Sequence, residues 1–392
     1  MKLTHATERP GDSRPEPQSA PAPPVLRLEG DPRDRGLAYG KHAAEQIHRT
    51  RMSYEALFLK HAKWSWSEVR HESEAFLRPI EAFRADLLQE LQGIADGSGL
   101  DLLDVLAMNL RTEILFGARV RSAGAALPPV LECTSFAQGP AVAEGPIVGQ
   151  NWDWLTFATE TLVILEVYPS EGIPWMTVVE AGLLAKVGMN AAGLVVATNA
   201  LASSADLGRP GVPYHLVLRS LFDCSSANEA RTALAQIDRA SSANYLLADA
   251  SGAIHNGESA PGGADDITWL STGGKSPFIH TNHFQADPPG RPAREDIGVS
   301  LMSDSTSRLD RAQALAQHRA SDLAGWKTLL SDHDGHPSSI CCHPNPDSAP
   351  VDQWTTVTSV IFEPRAARAH ISIGNPCGDT WLVRDYEELG WS

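Results

Sequence analysis

The chain has 392 residues, of which 42% are hydrophobic and 20% charged, and its formal net charge is −16. These values are ordinary for a globular protein with one large domain or two modest ones. The acidic balance argues against a nucleic-acid partner and against an anionic membrane surface, because both select basic patches.

The cysteines are few and irregularly spaced, at Cys133, Cys224, Cys341, Cys342 and Cys377. An odd number at such spacing does not form a disulfide framework and indicates a reducing compartment. The first 24 residues contain six prolines and no apolar run of the kind a signal peptide needs, and no stretch approaches the length of a membrane span. We therefore expect a disordered tail over residues 1–24 and a cytoplasmic protein without a membrane partner.

Residues 25–132 are predicted to be a short strand followed by a mainly helical segment, because apolar residues recur there at helical spacing. An interruption is expected near Pro79, and Gly97 and Gly99 are expected to end a helix. A loop of small residues and proline then leads to Cys133.

Residues 133–392 have a different pattern. Short apolar or alternating runs such as PIVGQNWDW and TLVILEVYP, separated by Gly, Pro and Asn, predict strands and hairpins. Helical spacing returns in VPYHLVLRSLF and twice after Ser303, and a closing hairpin is expected around Glu363-Pro364. Consecutive strands favour antiparallel sheets layered with helices, and no GxGxxG or phosphate-loop motif accompanies them.

Cys133 begins the sequence Cys-Thr-Ser directly after the proline-containing loop. A lone cysteine is most often a small packed hydrophobe, so a buried structural thiol is one interpretation. Its place between a loop and a predicted strand favours a nucleophile instead, because a rigid strand holds a reactive group well. The flanking residues do not match the papain-type signature.

Several motifs occur in an order that resembles the acyl-coenzyme A:6-aminopenicillanate acyltransferase family, which is similar to the N-terminal-nucleophile hydrolases. The motifs are CTS at 133–135, GQNWDW at 149–154, VGMNAAGLVVATNAL at 187–201, HTNHF at 280–284 and ISIGNPC at 371–377. The resemblance implies an α+β, four-layer αββα fold. It also implies that residues 25–132 form a pro-segment or small subunit, which stays associated with a catalytic body or large subunit at residues 133–392.

The resemblance further implies that the chain cuts its own Glu132–Cys133 bond. The new α-amine of Cys133 would then be the base for its own thiol, since the two free groups have pKa values of about 7.7–8.0 and about 8.5. The acyl group would pass to the Cys133 thiolate as a thioester and then to water or an amine, and both outcomes remain open. Glu132 departs from the family's best-known member, which has Gly before the nucleophile.

Three further residues receive catalytic roles from the same resemblance. Asp153, in Asn-Trp-Asp, is expected to orient the amine or thiol of Cys133; the alternative is a strand-end residue that caps a turn. Asn282 and Asn199 are both candidates for the oxyanion hole, where one donor contributes about 2.7–4 kcal/mol. The alternative for each is an amide that satisfies loop backbone.

The substrate is expected to be a small-molecule amide or an acyl-coenzyme A, and no cofactor is expected. Trp152 and Trp154 are candidate pocket walls. Cys342 occupies a position where many members of the resembled family carry Arg, which clamps carboxylates with two hydrogen bonds. Arg308 or Lys186 is a candidate to supply that charge from another loop.

The segment DHDGHPSSICCH supports an alternative function. Its members His333, His336, Cys341, Cys342 and His343 are residue types that bind zinc. Their spacing matches neither H-x₃₋₅-H nor C-x₂₋₄-C, and the adjacent cysteines would strain one tetrahedral site. We therefore expect no metal; the alternative is a zinc-dependent or non-catalytic small-molecule-binding protein that uses the segment from His333 to His343.

Overall fold

The computed structural model describes residues 15–17, 20–121, 132–139, 145–271, 277–290, 294–319 and 322–391. Most of the predicted tail at residues 1–24 lies outside the described residues. So do residues 122–131, which directly precede the predicted cleavage site, and the side chain of Glu132.

The helices and strands alternate in blocks along the chain. The helices are α1 (Pro32–His42), α2 (Ala44–His61), α3 (Trp66–Ser73), α4 (Leu77–Ser98), α5 (Leu102–Asn109), α6 (Arg111–Arg121), α7 (Tyr214–Leu221), α8 (Ala227–Gln236), α9 (Gly298–Leu301), α10 (Ser305–Arg319) and α11 (Leu323–Leu330). The strands are β1 (Val25–Gly30), β2 (Glu132–Gln138), β3 (Ile147–Leu155), β4 (Leu162–Pro169), β5 (Trp175–Glu180), β6 (Val187–Asn190), β7 (Val195–Ala200), β8 (Ala243–Ala248), β9 (Ile254–Ser259), β10 (Ile267–Leu270), β11 (Phe278–His280), β12 (Trp354–Glu363), β13 (Arg368–Ser372) and β14 (Trp381–Asp385).

Two sheets form the centre of the fold. Their strand orders are β1-β4-β5-β6-β7-β8-β9-β10 and β11-β2-β3-β12-β13-β14. The strand pairs are antiparallel, as predicted, except that β1 runs parallel to β4. The predicted closing hairpin is confirmed as β12 and β13.

Three apolar clusters define four layers. Side chains such as Ile164 and Met176 of the larger sheet meet Val148 and Val360 of the smaller sheet in a core between the two. Helices α1 to α8 cover the outer face of the larger sheet. Helices α10 and α11 cover the smaller sheet, where the Trp326 ring stacks on Phe136. The predicted αββα architecture is therefore confirmed, and burial on both faces explains continuous apolar strands such as LVILEVYP.

The predicted helical segment is present and is interrupted near Pro79, between α3 and α4, but one of its expected helix ends is wrong. Pro79 lies in the first turn of α4, where the missing N–H has no helical partner to lose. Gly99 ends α4 in a left-handed conformation with φ of 75°, as predicted. Gly97 lies inside the helix, and a Cβ there would be 2.3 Å from the carbonyl oxygen of Leu37 in α1. Its function is therefore to let two helices approach closely.

Residues before Cys133 share the core with residues after it. The guanidinium of Arg111 in α6 lies 3.2 Å from the carboxylate of Glu180 in β5, and both side chains are buried. Tyr54 of α2 donates its hydroxyl hydrogen to the same carboxylate at 2.7 Å. Among the described residues, the helices are too short or too polar to cross a membrane.

Candidate active site

The β2–β3 pair positions Cys133 at the centre of the candidate site. The antiparallel register sets Cys133 opposite Trp152 and Glu132 opposite Asp153. The Cys133 side chain is completely buried. Because both strands lie inside the smaller sheet, the backbone on either side of the thiol is fixed by ladder hydrogen bonds.

The Asn282 side chain holds the backbone N–H of Cys133. Its Oδ1 accepts that N–H at 2.7 Å and also accepts from Arg308 Nη2 at 3.1 Å. Its Nδ2 donates to the carbonyl oxygen of Ala200 at 3.0 Å. Two donors on the oxygen and one acceptor on the nitrogen fix the orientation of this amide.

The backbone carbonyl of Cys133 is held by the other predicted amide. Asn199, on β7 of the opposite sheet, donates Nδ2 to that oxygen at 3.1 Å, and Arg308 donates Nη1 at 3.1 Å. Arg308 also donates Nε to Asp304 at 3.1 Å. The structure thus brings Cys133, Asn199, Asn282 and Arg308 together, and Arg308 contacts the main chain of Cys133.

Asp153 lies next to Cys133 and is also fully buried. Its Oδ1 accepts the Thr356 hydroxyl at 2.5 Å, and its Oδ2 has no hydrogen-bond partner among the described residues. Burial raises the pKa of Asp153 to about 7, although Arg308 and the Thr356 hydrogen bond act in the opposite direction. Thr356 was not singled out in the sequence, because it is one threonine in a run of alternating strand residues.

Charged groups on two sides set the chemistry of the Cys133 thiol. Burial raises its pKa to about 11; Lys186 lowers it, Asp153 raises it and Arg308 lowers it. Lys186 is itself buried, and burial lowers its pKa to about 8. Its ammonium donates to the Tyr214 hydroxyl at 3.0 Å. Tyr214 was not singled out in the sequence, since it reads as one apolar residue of a helix.

The predicted pocket residues are all buried. Trp152 lies with its ring centre 5.6 Å from Lys186 Nζ. Trp154 donates its indole N–H to Tyr54 at 3.1 Å. Cys342 donates its backbone N–H at 2.9 Å to the Thr356 hydroxyl that holds Asp153. Their roles toward a substrate stay predictions.

Comparison with known proteins identifies the family. The family model described as "Acyl-coenzyme A:6-aminopenicillanic acid acyl-transferase" matches residues 142–377. The chain belongs to this family. The matched region contains Asp153, Asn199, Asn282 and Arg308 and begins after Cys133. Because members of the acyl-transferase family are enzymes, the expectation that this chain is an enzyme is confirmed.

A curated relative extends the likeness to most of the chain. The acyl-coenzyme A:6-aminopenicillanic-acid-acyltransferase 40 kDa form of Emericella nidulans is 27% identical over 358 residues, which cover 90% of this chain and 92% of the relative. Among solved structures, a variant of conjugated bile acid hydrolase from Clostridium perfringens matches with a TM-score of 0.44 and 10% identity, over 66% of this chain and 94% of that one. Penicillin V acylase from Agrobacterium tumefaciens matches with a TM-score of 0.35 and 14% identity, over 61% and 82%.

Proposed function

We propose that this member of the acyl-transferase family is a self-activating cysteine enzyme in which Cys133 is an N-terminal nucleophile. One observation carries the proposal: the Asn282 carboxamide binds the Cys133 N–H at 2.7 Å beside a buried thiol. This nitrogen is the atom that cleavage of the Glu132–Cys133 bond would turn into an amine. The pairing of β2 with β11 ends at Ser135, so the Cys133 N–H is held by this side chain and not by that strand.

In the first proposed step, the Cys133 sulfur attacks the carbonyl carbon of Glu132. A thioester bond forms, the amide C–N bond breaks, and the nitrogen takes a proton to become the α-amine. Water then hydrolyses the thioester. This step releases the new main-chain α-carboxylate of Glu132 and regenerates the Cys133 thiol. The residues before the break form the small subunit and residues 133–392 the large subunit.

The charges around Cys133 support an activation that depends on this cleavage. In the uncut chain the pKa of the thiol is raised to about 11, so little thiolate exists at neutral pH. Cleavage adds an amine, with an ordinary pKa of about 7.7–8.0, directly beside the sulfur. We propose that this amine takes the thiol proton and that Asp153, across the strand pair, stabilises the resulting ammonium.

The two amides receive different roles in this proposal. Asn199 holds the carbonyl of Cys133 through Nδ2 and is a positioning residue. Asn282 uses one Nδ2 hydrogen on Ala200, and a carboxamide nitrogen carries two. We propose that the second one binds the oxyanion of the acyl intermediate, where such a donor is worth about 2.7–4 kcal/mol.

The proposed substrates follow from the chemistry of a thioester enzyme. The acyl donor is a small N-acyl amide or an acyl-coenzyme A, and the Cys133 thioester passes the acyl group to a small amine or to water. The name of the Emericella nidulans relative pairs an acyl-coenzyme A with an amine, 6-aminopenicillanic acid. Trp152, Trp154 and Cys342 remain candidates for lining the acyl or amine pocket.

Intact mass of the purified protein tests the proposal. We expect two fragments, with an N-terminal cysteine on the large one, and a summed mass equal to that of the 42.2 kDa chain plus one water. Cys133→Ala should remain a single chain and be inactive on N-acyl substrates. Cys224→Ser is the matched control and should be processed normally. An unprocessed native chain with full amidase activity would refute the proposal.

A further inference from the structure

A cluster of two histidines and two cysteines lies outside the candidate active site. His333 follows α11, Cys341 and His343 lie in the loop before β12, and Cys377 lies in the turn after β13. Their potential ligand atoms all lie within 4.8 Å of one another. Two segments of the chain, the loop between α11 and β12 and the turn after β13, therefore converge on one point.

Three distances in the cluster are close to those between the ligands of a tetrahedral zinc ion. His333 Nε2 lies 3.1 Å from His343 Nε2, and the sulfurs of Cys341 and Cys377 each lie 3.5 Å from His343 Nε2. Zinc–nitrogen bonds of about 2.0–2.1 Å and zinc–sulfur bonds of about 2.3 Å give N–N separations of about 3.3 Å and N–S separations of about 3.6 Å. The ligand set of two thiolates and two imidazoles is one that zinc prefers.

We propose that His333, Cys341, His343 and Cys377 bind one structural zinc ion. Four protein ligands complete a tetrahedron and leave no open position for a substrate, so the metal stabilises the fold and is not the catalyst. The proposal departs from the sequence-based expectation of no metal. That expectation assumed that both adjacent cysteines would have to serve, whereas the cluster uses Cys341 and takes its second thiol from Cys377.

The surroundings of the cluster suit a metal that enters from one side. Cys341 and His343 are buried, while His333 and Cys377 are only partly buried. A cavity of about 880 Å³ opens beside His333 and Cys377. The loop is held from behind, because Asp332 accepts the N–H of Cys341 through its carbonyl oxygen at 2.9 Å. Such outer contacts orient ligands before the metal arrives.

The site is linked to the candidate active site by two hydrogen bonds. Cys342, between the ligands Cys341 and His343, donates its N–H to Thr356 Oγ1 at 2.9 Å. That hydroxyl donates to Asp153 at 2.5 Å. Zinc would therefore fix the loop that aligns Thr356 with Asp153. This consequence for Asp153 rests on the proposed function, whereas the metal site itself does not.

The test is metal content of the full-length Cys133→Ala chain, purified without a histidine tag under reducing conditions. We expect one zinc per chain by elemental mass spectrometry. After chelation, Co²⁺ should restore one ion per chain, with the visible absorption of a tetrahedral site and a thiolate-to-metal charge-transfer band. Because this chain has no nucleophile, the result does not depend on whether processing occurs.

Variants assign the ligands. We expect Cys377→Ser and His333→Asn to weaken zinc binding by more than the roughly 10–100-fold loss that follows removal of an outer partner alone. Cys342→Ser and Cys224→Ser are matched controls and should each retain one zinc. If a ligand variant fails to fold, the cobalt spectrum of the parent chain still decides the matter.

Three results would overturn the proposal. The first is a folded Cys133→Ala chain that contains no zinc and takes up no Co²⁺. The four side chains would then form a hydrogen-bonded cluster and not a metal site. The second is a Cys341–Cys377 disulfide in the purified protein, detected as a loss of two hydrogens in the intact mass. The third is full zinc content in both Cys377→Ser and His333→Asn.

Discussion

Asp153 is a carboxyl group whose charge costs free energy in the folded chain. Burial raises its pKa from the usual value of 3.8 to about 7. Between these pH values the unfolded chain has lost the proton and the folded chain keeps it. The unfolded state then binds fewer protons, so the stability that Asp153 contributes falls as pH rises, and its full cost is present above pH 7.

We therefore expect Asp153→Asn, made in the Cys133→Ala chain, to raise the free energy of unfolding more at pH 8 than at pH 5. The difference should be about 1–3 kcal/mol, measured by urea denaturation at both pH values. Asp249→Asn is the control. Burial raises the pKa of Asp249, but hydrogen bonds from Ser251 and Ala227 lower it below its usual value. Its replacement should destabilise at both pH values. An equal change at pH 5 and pH 8 for Asp153→Asn would contradict the assignment.

Lys186 is the cation with the largest effect on the pKa of the Cys133 thiol. It lowers the pKa of Cys133, and burial lowers its own pKa to about 8. We expect Lys186→Met to shift the alkylation of Cys133 in processed protein to higher pH. A shift of one pKa unit would slow the reaction about tenfold at lower pH. Iodoacetamide labelling followed by mass across a pH series measures it. Lys327→Met is the control: this lysine lies on α11 with its ammonium over the Trp381 ring, and its replacement should leave the profile unchanged.

At the scale of elements, α1 and α4 pack unusually closely. A Cβ at Gly40 would lie 2.3 Å from the carbonyl oxygen of Ile94, and Gly97 makes the reciprocal approach to α1. In an open helix Gly→Ala is favourable by about 1 kcal/mol. Here we expect Gly40→Ala to destabilise by about 1–3 kcal/mol, because the backbones must separate. Urea denaturation tests this expectation.

Gly117→Ala in α6 is the control for this helix contact. Its added Cβ would meet only the flexible end of Arg121 at 2.5 Å, and the next atom lies at an ordinary 3.4 Å. The variant should be neutral or stabilising. Equal loss of stability in both variants would mean that close α1–α4 packing is not the cause.

Local patterns predicted elements better than they predicted contacts between elements. The left-handed glycine at 99 and the hairpin after Glu363 each depend on residues close in sequence, and both were predicted. Gly97 was misassigned because a glycine that permits helix packing has the same local appearance as one that ends a helix. The resemblance named Cys133 and Asn282, but their contact joins residues far apart, and no periodicity reveals which strands become neighbours.

At the scale of the whole molecule, the segment before Cys133 is part of one core with the residues after it. The buried pair of Arg111 and Glu180 joins them at 3.2 Å. Glu113 of α6 adds contacts, accepting the N–H of Tyr214 and the hydroxyl of Ser241, each at 2.8 Å. Cutting the chain at Glu132 would not break any of these contacts.

We therefore expect the two fragments to co-elute in size-exclusion chromatography after processing. Arg111→Met should destabilise the assembly by about 3–5 kcal/mol, because it removes the cation that faces the buried Glu180 side chain. Arg119→Met, at an exposed position of the same helix, should have little effect on thermal unfolding. Separation of the native fragments without denaturant would contradict this expectation.

The parallel pairing of β1 with β4 has a consequence for how the protein can be produced. β1 is the outermost strand of its sheet, and its removal would expose the unpaired N–H and C=O groups of LVILEVYP. A bare, apolar strand of this kind is a template for aggregation. We therefore expect a gene that starts at Cys133 to yield inclusion bodies, because its product would lack β1, whereas a chain cut after folding would keep that strand.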